Sequence, residues 1–218
     1  MDAPESVQLA GEGVQLFAER ALYWPGGDAL MIADLHLGKG DIFRRAGIAL
    51  PRGGTALDLG RISALLERTG AGSLFVLGDF LHGAAHDSPW LSEWVAWREA
   101  HSAVAVRVIV GNHDRALAAA GLDLRWFNGA HQLGPFRLVH APGDAASGHE
   151  LCGHLHPVTR VPGLPRRWPA FWLRPRQTVL PAFSSFSGGY LLDNDGEDPL
   201  LACVEGHVLA MGGRSVQR

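Results

Sequence analysis

Five short clusters along the sequence contain the carboxylate, imidazole and amide side chains that bind divalent metal ions. In chain order they are Asp34-Leu-His36, Gly78-Asp79, Gly111-Asn112-His113-Asp114, His140 and Gly153-His154-Leu-His156-Pro157. This mixture of oxygen and imidazole ligands favours Mn²⁺, Fe or Zn²⁺ over Mg²⁺, which prefers oxygen ligands alone. The candidate ligands exceed what one octahedral ion needs once water is counted. The sequence therefore predicts two ions, and the candidate ligands are Asp34, His36, Asp79, Asn112, His140, His154 and His156.

A pair of ions held by such ligands is suited to hydrolysis of phosphate esters. The ions need a shared anionic ligand that holds them about 3.5–4 Å apart, and Asp79, alone after its glycine, is the candidate for this bridge. Two ions lower the pKa of a bridging water toward about 7 and stabilise the charge of in-line attack at phosphorus. No serine or cysteine nucleophile with a matching base motif is evident, so we expect water to be the nucleophile.

The first three clusters each follow a run of residues typical of a β-strand. These runs are Ala29–Ala33, Ser73–Leu77 and Val104–Val110. Helical patterns lie between them, and this alternation predicts an α/β protein with largely parallel strands. Ligands of such sheets bind beyond the carboxyl ends of the strands, where the clusters fall. The spacing of Asp34 with His36, and of His154 with His156, predicts that each pair points to one face of a strand.

Two helices are predicted between these strands. Thr55-Ala-Leu-Asp58 has the spacing of a capping box and precedes an apolar run. Ser88 followed by Pro89 predicts the start of the second helix. The stripe of Trp90, Trp94 and Trp97 on that helix is interpreted as core packing.

The remaining segments predict a β-hairpin and a second sheet. Residues 7–24 alternate apolar and polar positions around two glycines, which indicates a hairpin at a sheet edge. The second half contains further strand-like runs at Phe136–His140, Glu150–Cys152, Thr178–Phe183 and Leu200–Val204. We expect them to form a sheet that packs against the first, within a single domain that spans residues 1–218.

Composition excludes several classes of protein. Hydrophobic residues make up 47% and charged residues 19% of the chain, which excludes global disorder. The longest apolar runs are far shorter than a membrane span requires, and the acidic start is unlike a secretory signal. Cys152 and Cys203 are too few for a disulfide framework and are predicted to be buried. We expect a cytoplasmic protein.

The ordered series Asp-x-His, Gly-Asp, Gly-Asn-His-Asp, His and Gly-His-x-His resembles the calcineurin-like metallophosphoesterases. The resemblance covers about residues 29–160 and implies a four-layer αββα sandwich of two mixed β-sheets flanked by helices, with a dinuclear metal centre. It implies one ion held by Asp34, His36, Asp79 and His156, and another held by Asp79, Asn112, His140 and His154. As catalytic residues, His113 would protonate the leaving oxygen and Asp114 would orient His113.

A narrower resemblance extends over nearly the full length. The stretch Asp34-Leu-His-Leu-Gly-Lys39, with Phe43-Arg44-Arg45-Ala-Gly47, Cys152–Pro157 and Ser187-Gly-Gly189, is similar to the ligase-associated DNA damage response endonucleases. This resemblance implies a DNA endonuclease of repair that works beside an ATP-dependent DNA ligase and a helicase-like protein. The metal motifs, together with the basic and aromatic segment, predict a Mn²⁺-dependent phosphodiesterase that cuts nucleic acid. The alternatives are a small-molecule phosphoesterase acting on cyclic nucleotides or dinucleotides, and a metal-binding interaction module without turnover.

The charge distribution bears on a nucleic-acid substrate. The net charge of −3 excludes a protein that coats DNA through its overall charge. Residues 151–192, however, contain five arginines, no acidic residue and several aromatic residues, a combination that can bind phosphates and stack on bases. The candidate substrate-binding residues are Arg44, Arg45, Arg166 and Arg167, with packing of arginine stems on a loop as the alternative. His82 and His86 follow Gly78-Asp79 closely and could line the pocket of the metal site.

Overall fold

The strands form two mixed β-sheets, seen in a computed structural model that describes residues 3–83, 89–144, 148–193 and 196–211. The first sheet has seven strands in chain order: β1 (Glu5–Leu9), β2 (Glu12–Phe17), β3 (Ala21–Trp24), β4 (Ala29–Ile32), β5 (Ser73–Leu77), β6 (Ala105–Ile109) and β7 (Arg125–Phe127). The second sheet has nine strands: β8 (His131–Leu133), β9 (Phe136–Leu138), β10 (His149–Cys152), β11 (Pro157–Arg160), β12 (Arg167–Arg174), β13 (Gln177–Val179), β14 (Tyr190–Leu191), β15 (Leu200–Val204) and β16 (His207–Met211).

Three α-helices connect strands of the first sheet. They are α1 (Lys39–Arg45), α2 (Gly54–Thr69) and α3 (Pro89–Ala100), and short 3₁₀ helices lie at Pro25–Gly27 and Asp114–Ala119. Strands β1 to β4 pair antiparallel, which confirms the predicted hairpin at the sheet edge. Strands β4 to β7 pair parallel. Their carboxyl ends therefore meet at one edge, where three of the five clusters lie.

The first sheet is buried on both faces. Helices α2 and α3 cover one face, and Trp90, Trp94 and Trp97 lie in that core as predicted. The other face packs against the second sheet, for example through Phe75 and Phe136, both almost fully buried. Burial of side chains of this size stabilises the fold by about 1.5–3 kcal/mol each. The predicted α/β sandwich of two mixed, face-to-face sheets is confirmed.

The start of α2 differs from its prediction. The helix begins at Gly54, after Gly53 in the left-handed conformation, and no side chain caps it. The expected capping box of Thr55 and Asp58 is wrong, because the Asp58 carboxylate is buried and bonded to Arg61 at 3.0 Å. The predicted start of α3 is correct at Pro89, whereas Ser88 lies outside the described residues.

Both cysteines are buried and unpaired, as predicted. Burial raises the pKa of the Cys152 and Cys203 thiols, so both remain protonated at neutral pH. Within the described ranges, no helix is long and apolar enough to span a membrane.

Candidate metal centre

The loops that follow the strand ends bring the candidate ligands into two clusters. Each cluster contains one aspartate and two histidines whose ligand atoms all lie within 4.8 Å of one another. The first cluster is Asp34, His36 and His156, and the second cluster is Asp79, His140 and His154. These are the groupings that the family resemblance implies for those residues.

The backbone that places these ligands is not a strand. Asp34, His36, Asp79, His154 and His156 all have positive φ, between 47° and 68°. The prediction that each pair presents its two ligands toward one pocket is confirmed for Asp34 and His36, which share the first cluster, but the strand geometry behind it is wrong. His154 and His156 in fact belong to different clusters. Aspartate and histidine enter the left-handed region more readily than most residues, and strained backbone of this kind concentrates at functional sites.

Asp79 belongs to the second cluster and also faces the first. Its Oδ1 is 3.6 Å from Nε2 of His140 in the second cluster. Its Oδ2 is 3.9 Å from Nε2 of His36 in the first cluster. Oδ1 also accepts a hydrogen bond of 2.9 Å from the backbone N–H of His113. One carboxylate thus offers an oxygen to each cluster, which is the geometry that a bridging ligand needs.

The polar atoms of the first cluster fit a divalent ion. Asp34 Oδ1, His36 Nε2 and His156 Nε2 are buried and have no hydrogen-bond partner among the described residues. Asp34 Oδ1 and His156 Nε2 are 3.3 Å apart but lack hydrogen-bond geometry. An unsatisfied buried polar atom costs about 1–3 kcal/mol. Three such atoms converging on one point indicate a cation that satisfies them together.

Backbone carbonyls orient the ligand imidazoles. Nδ1 of His156 lies 3.1 Å from the Gly188 carbonyl, and Nδ1 of His140 lies 3.3 Å from the Leu77 carbonyl. A proton on each Nδ1 leaves Nε2 free as the ligand atom, the usual arrangement of metal-bound histidine. Burial, with a smaller contribution from Lys39, lowers the pKa of His36 to about 2, so its imidazole is neutral as metal binding requires.

Gly78 and Gly111 are among the glycines that close approach to the ligands requires. A Cβ atom on Gly78, whose φ is +82°, would overlap Nδ1 and Cγ of the His140 ring. A Cβ atom on Gly111 would overlap the backbone nitrogen and Oδ1 of Asp79. In the Gly-Asp motif, Gly78 therefore leaves space for the His140 ring. In the Gly-Asn-His-Asp motif, Gly111 leaves space for Asp79.

Asn112 and His113 lie at the solvent side of the clusters. Asn112 is exposed, between two residues that contact Asp79. The His113 side chain is 49% exposed, with Nε2 4.0 Å from Asp79 Oδ2. Its ring stacks on that of His82 at a centroid distance of 4.7 Å, and His82 Nδ1 lies 3.3 Å from His36 Nδ1. His82 thus contacts both His113 and His36, whereas His86 lies outside the described residues.

Asp114 has contacts other than the expected one with the His113 ring. Its Oδ1 accepts from the backbone N–H of Leu81 and its Oδ2 accepts from that of Gly111, each at 2.8 Å. The carboxylate therefore ties the loop after β5 to the loop after β6. Within the described part of the chain, no hydrogen bond joins the Asp114 carboxylate to the His113 ring.

A cavity of about 480 Å³ extends from the first cluster along α1. His36 and Lys39 line one part of it, and Arg44, Arg45 and Arg52 line another. Arg44 donates hydrogen bonds to the Asp41 carboxylate and, at 3.0 Å, to the Pro51 carbonyl.

Arg166 and Arg167 line a second cavity, of about 610 Å³. The segment Ser184–Gly189 separates the two cavities, because its residues line one or the other. The Arg166 guanidinium lies 3.7 Å from the Trp168 ring. Trp168 and Phe171 are buried, so the expected base stacking on these two rings is wrong. The arginines remain accessible because both are exposed.

The fold is shared with a solved nuclease. The structure of nuclease MPE from Pseudomonas putida matches with a TM-score of 0.82 and 32% identity, over 95% of this chain and 100% of that chain. The chain belongs to the calcineurin-like metallophosphoesterases. This confirms the family resemblance and is consistent with the subgroup of ligase-associated DNA damage response endonucleases.

More distant solved structures also match this metallophosphoesterase. The phosphoesterase Yfce from E. coli is 18% identical over 85% of this chain and 99% of that chain, with a TM-score of 0.49. A predicted phosphoesterase from Streptococcus pneumoniae is 15% identical over 84% and 95% of the two chains, with a TM-score of 0.36. No protein-family model and no curated protein matches the sequence. The family and the two clusters identify the chain as a metal-dependent phosphoesterase, a hydrolase.

Proposed function

We propose that this metallophosphoesterase is a DNA endonuclease that hydrolyses phosphodiester bonds at a dinuclear centre, with Mn²⁺ as the preferred ion. The observation that carries this proposal is the position of Asp79, which faces both clusters beside a cavity lined by lysine and arginine. The similar protein from P. putida is a nuclease, which supports a nucleic-acid substrate.

Different residues of the chain would bind the metal ions and supply the proton. Two divalent ions, when bound, would supply Lewis acidity that activates water and stabilises the charge developing on the phosphate. The first cluster and Asp79 would hold one ion, and the second cluster with Asn112 would hold the other. His113 is accessible and adjacent to Asp79, which supports its role as the donor of a proton to the leaving oxygen.

His113 is expected to be a general acid and not a ligand. In His113→Ala, we expect both ions to remain bound while kcat falls by about 10²–10⁴-fold on a substrate with a poor leaving group. The loss should be smaller with a p-nitrophenyl ester, whose leaving group needs no proton. Metal analysis of the purified variant and kcat with both substrates test this. Loss of one ion per chain would instead make His113 a ligand.

The arginines of both cavities would bind the DNA backbone. Arg44 and Arg45 lie on one side of the Ser184–Gly189 segment, and Arg166 and Arg167 lie on the other. Contacts to phosphates supply most of the affinity of proteins for DNA and weaken with salt. The protein would act in DNA repair in the cytoplasm, beside an ATP-dependent DNA ligase and a helicase-like protein.

One assay tests the function. The purified protein, stripped of metal, is incubated with plasmid DNA, single-stranded DNA, bis(p-nitrophenyl) phosphate and cyclic nucleotides, each with Mn²⁺, Mg²⁺ or Zn²⁺. We expect cleavage of DNA that is fastest with Mn²⁺ and absent in Asp79→Asn. Turnover of a cyclic nucleotide without DNA cleavage would show a small-molecule phosphoesterase. Equal, low rates in the wild type and Asp79→Asn would indicate a metal-binding module.

A further inference from the structure

Lys39, the only lysine of the chain, places its ammonium group beside the first cluster. Its backbone N–H donates to the His36 carbonyl at 3.1 Å. Its Nζ donates to Ser187 Oγ at 3.3 Å. Ser187 precedes Gly188, whose carbonyl contacts the His156 ring. The ammonium is therefore held between the two segments that carry or orient ligands of the first cluster.

This ammonium group is half-buried and lacks an anionic partner. In the described part of the chain, no carboxylate oxygen lies within 4.0 Å of Lys39 Nζ. A half-buried cation without compensation is costly, so this position favours an anionic ligand.

The rest of the cavity is lined by charged side chains of both signs, namely Arg44, Arg45 and Arg52 and the carboxylates of Asp41, Asp58 and Glu93. The carboxylates of Asp41 and Asp58 are engaged by Arg44 and Arg61. Arg52 lines the same cavity and is exposed. Arg44 lies five residues beyond Lys39 on α1, roughly 7.5 Å along the helix axis. Basic side chains therefore continue from Lys39 along this cavity, with Arg44 already paired to Asp41.

We propose that Lys39 binds the phosphate next to the scissile one and so makes the centre selective for a nucleic-acid strand over small phosphodiesters. This inference rests on the proposed function. The scissile phosphate has to reach the ions of both clusters, at Asp79. Lys39, tied to Ser187, instead faces the cavity that leads away from the second cluster.

The test compares Lys39→Met and Lys39→Arg with the wild type. Arg125→Ala is the control, because it removes one exposed cation at the amino end of β7, the end opposite the clusters. The substrates are a single-stranded oligonucleotide, the same oligonucleotide with neutral methylphosphonate linkages beside the scissile bond, and bis(p-nitrophenyl) phosphate. Metal content and oligonucleotide affinity without metal, by fluorescence anisotropy, are measured alongside.

For Lys39→Met we expect kcat/KM on the oligonucleotide to fall by about 10- to 100-fold, the effect of losing one charge-assisted hydrogen bond. Turnover of bis(p-nitrophenyl) phosphate and metal content should stay near wild type. The salt dependence of oligonucleotide affinity should fall by about 0.7 in slope, one phosphate contact to a single strand. Lys39→Arg should recover most of the rate on the oligonucleotide. For Lys39→Met, kcat/KM should not fall further when the unmodified oligonucleotide is replaced by the methylphosphonate one.

Two results would overturn the assignment. Equal losses on the oligonucleotide and on bis(p-nitrophenyl) phosphate, or a loss of metal, would give Lys39 a role in the centre itself. An unchanged rate on the oligonucleotide would give it no role in binding. If the wild type hydrolyses bis(p-nitrophenyl) phosphate but no oligonucleotide, the proposed function fails first, and this inference fails with it.

Discussion

Replacement of Asp79 with asparagine is expected to abolish phosphodiester hydrolysis and to release metal from both clusters. The two carboxylate oxygens of Asp79 face different clusters, at 3.6 Å from His140 and 3.9 Å from His36. Asparagine keeps the size but offers only one oxygen and no charge. Loss of a group that merely orients a ligand costs 10–100-fold, so loss of a shared ligand should cost at least about 100-fold.

The matched control for this change is Asp144→Asn, which removes one charge from an exposed aspartate outside both clusters. It should retain wild-type activity and metal content. Metal content is counted by mass spectrometry after gel filtration, and activity is measured with bis(p-nitrophenyl) phosphate. An Asp79→Asn protein that keeps both ions and more than a tenth of the rate would contradict the bridging role.

Replacement of Gly111 with alanine is expected to disrupt the centre by sterics alone. The added Cβ would overlap the backbone nitrogen and Oδ1 of Asp79. Gly111 has no positive φ, so alanine suffers no conformational strain there. The displaced carboxylate should lose its position between the clusters, with a fall in activity of about 100-fold. Overpacking against the buried Asp79 side chain should also lower the free energy of unfolding by about 1–3 kcal/mol.

Gly60→Ala is the control for Gly111→Ala. Gly60 lies within α2, and a Cβ atom there meets nothing within 4 Å. Alanine at this position should raise the free energy of unfolding by about 0.5–1 kcal/mol and leave activity unchanged. Denaturant unfolding and hydrolysis rates are measured for both variants. A Gly111→Ala protein that is as active as Gly60→Ala would show that the close approach to Asp79 is unimportant.

The side-chain types of the centre could be predicted from the sequence, but the backbone that presents them could not. Strand ends and the residue types of the ligands can be recognised from short stretches of sequence, so the seven candidate ligands could be proposed without a structure. The left-handed backbone at Asp34 and His156 could not, because it depends on loop contacts such as that of His156 with Gly188. The signal was present in the residue types, since aspartate and histidine tolerate this conformation.

Contacts between segments distant in sequence account for the other differences. The position of His82 against His113 depends on the loops after β5 and β6 meeting at one sheet edge. The wall between the cavities, Ser184–Gly189, is held by Arg20, whose guanidinium donates to the Ala182 and Ser184 carbonyls. No periodicity or motif relates Arg20 to that segment, some 160 residues later. The basic and aromatic residues near Trp168 predicted stacking on nucleic-acid bases, but the rings of Trp168 and Phe171 are buried in the core.

We expect the two clusters to bind two ions that share Asp79. Crystals of the protein soaked in Mn²⁺ and measured at the manganese absorption edge would show this arrangement. Two anomalous peaks are expected, one within bonding distance of Asp34, His36 and His156 and one within bonding distance of His140 and His154, with Asp79 touching both. A single peak, or two peaks of which only one contacts Asp79, would contradict it.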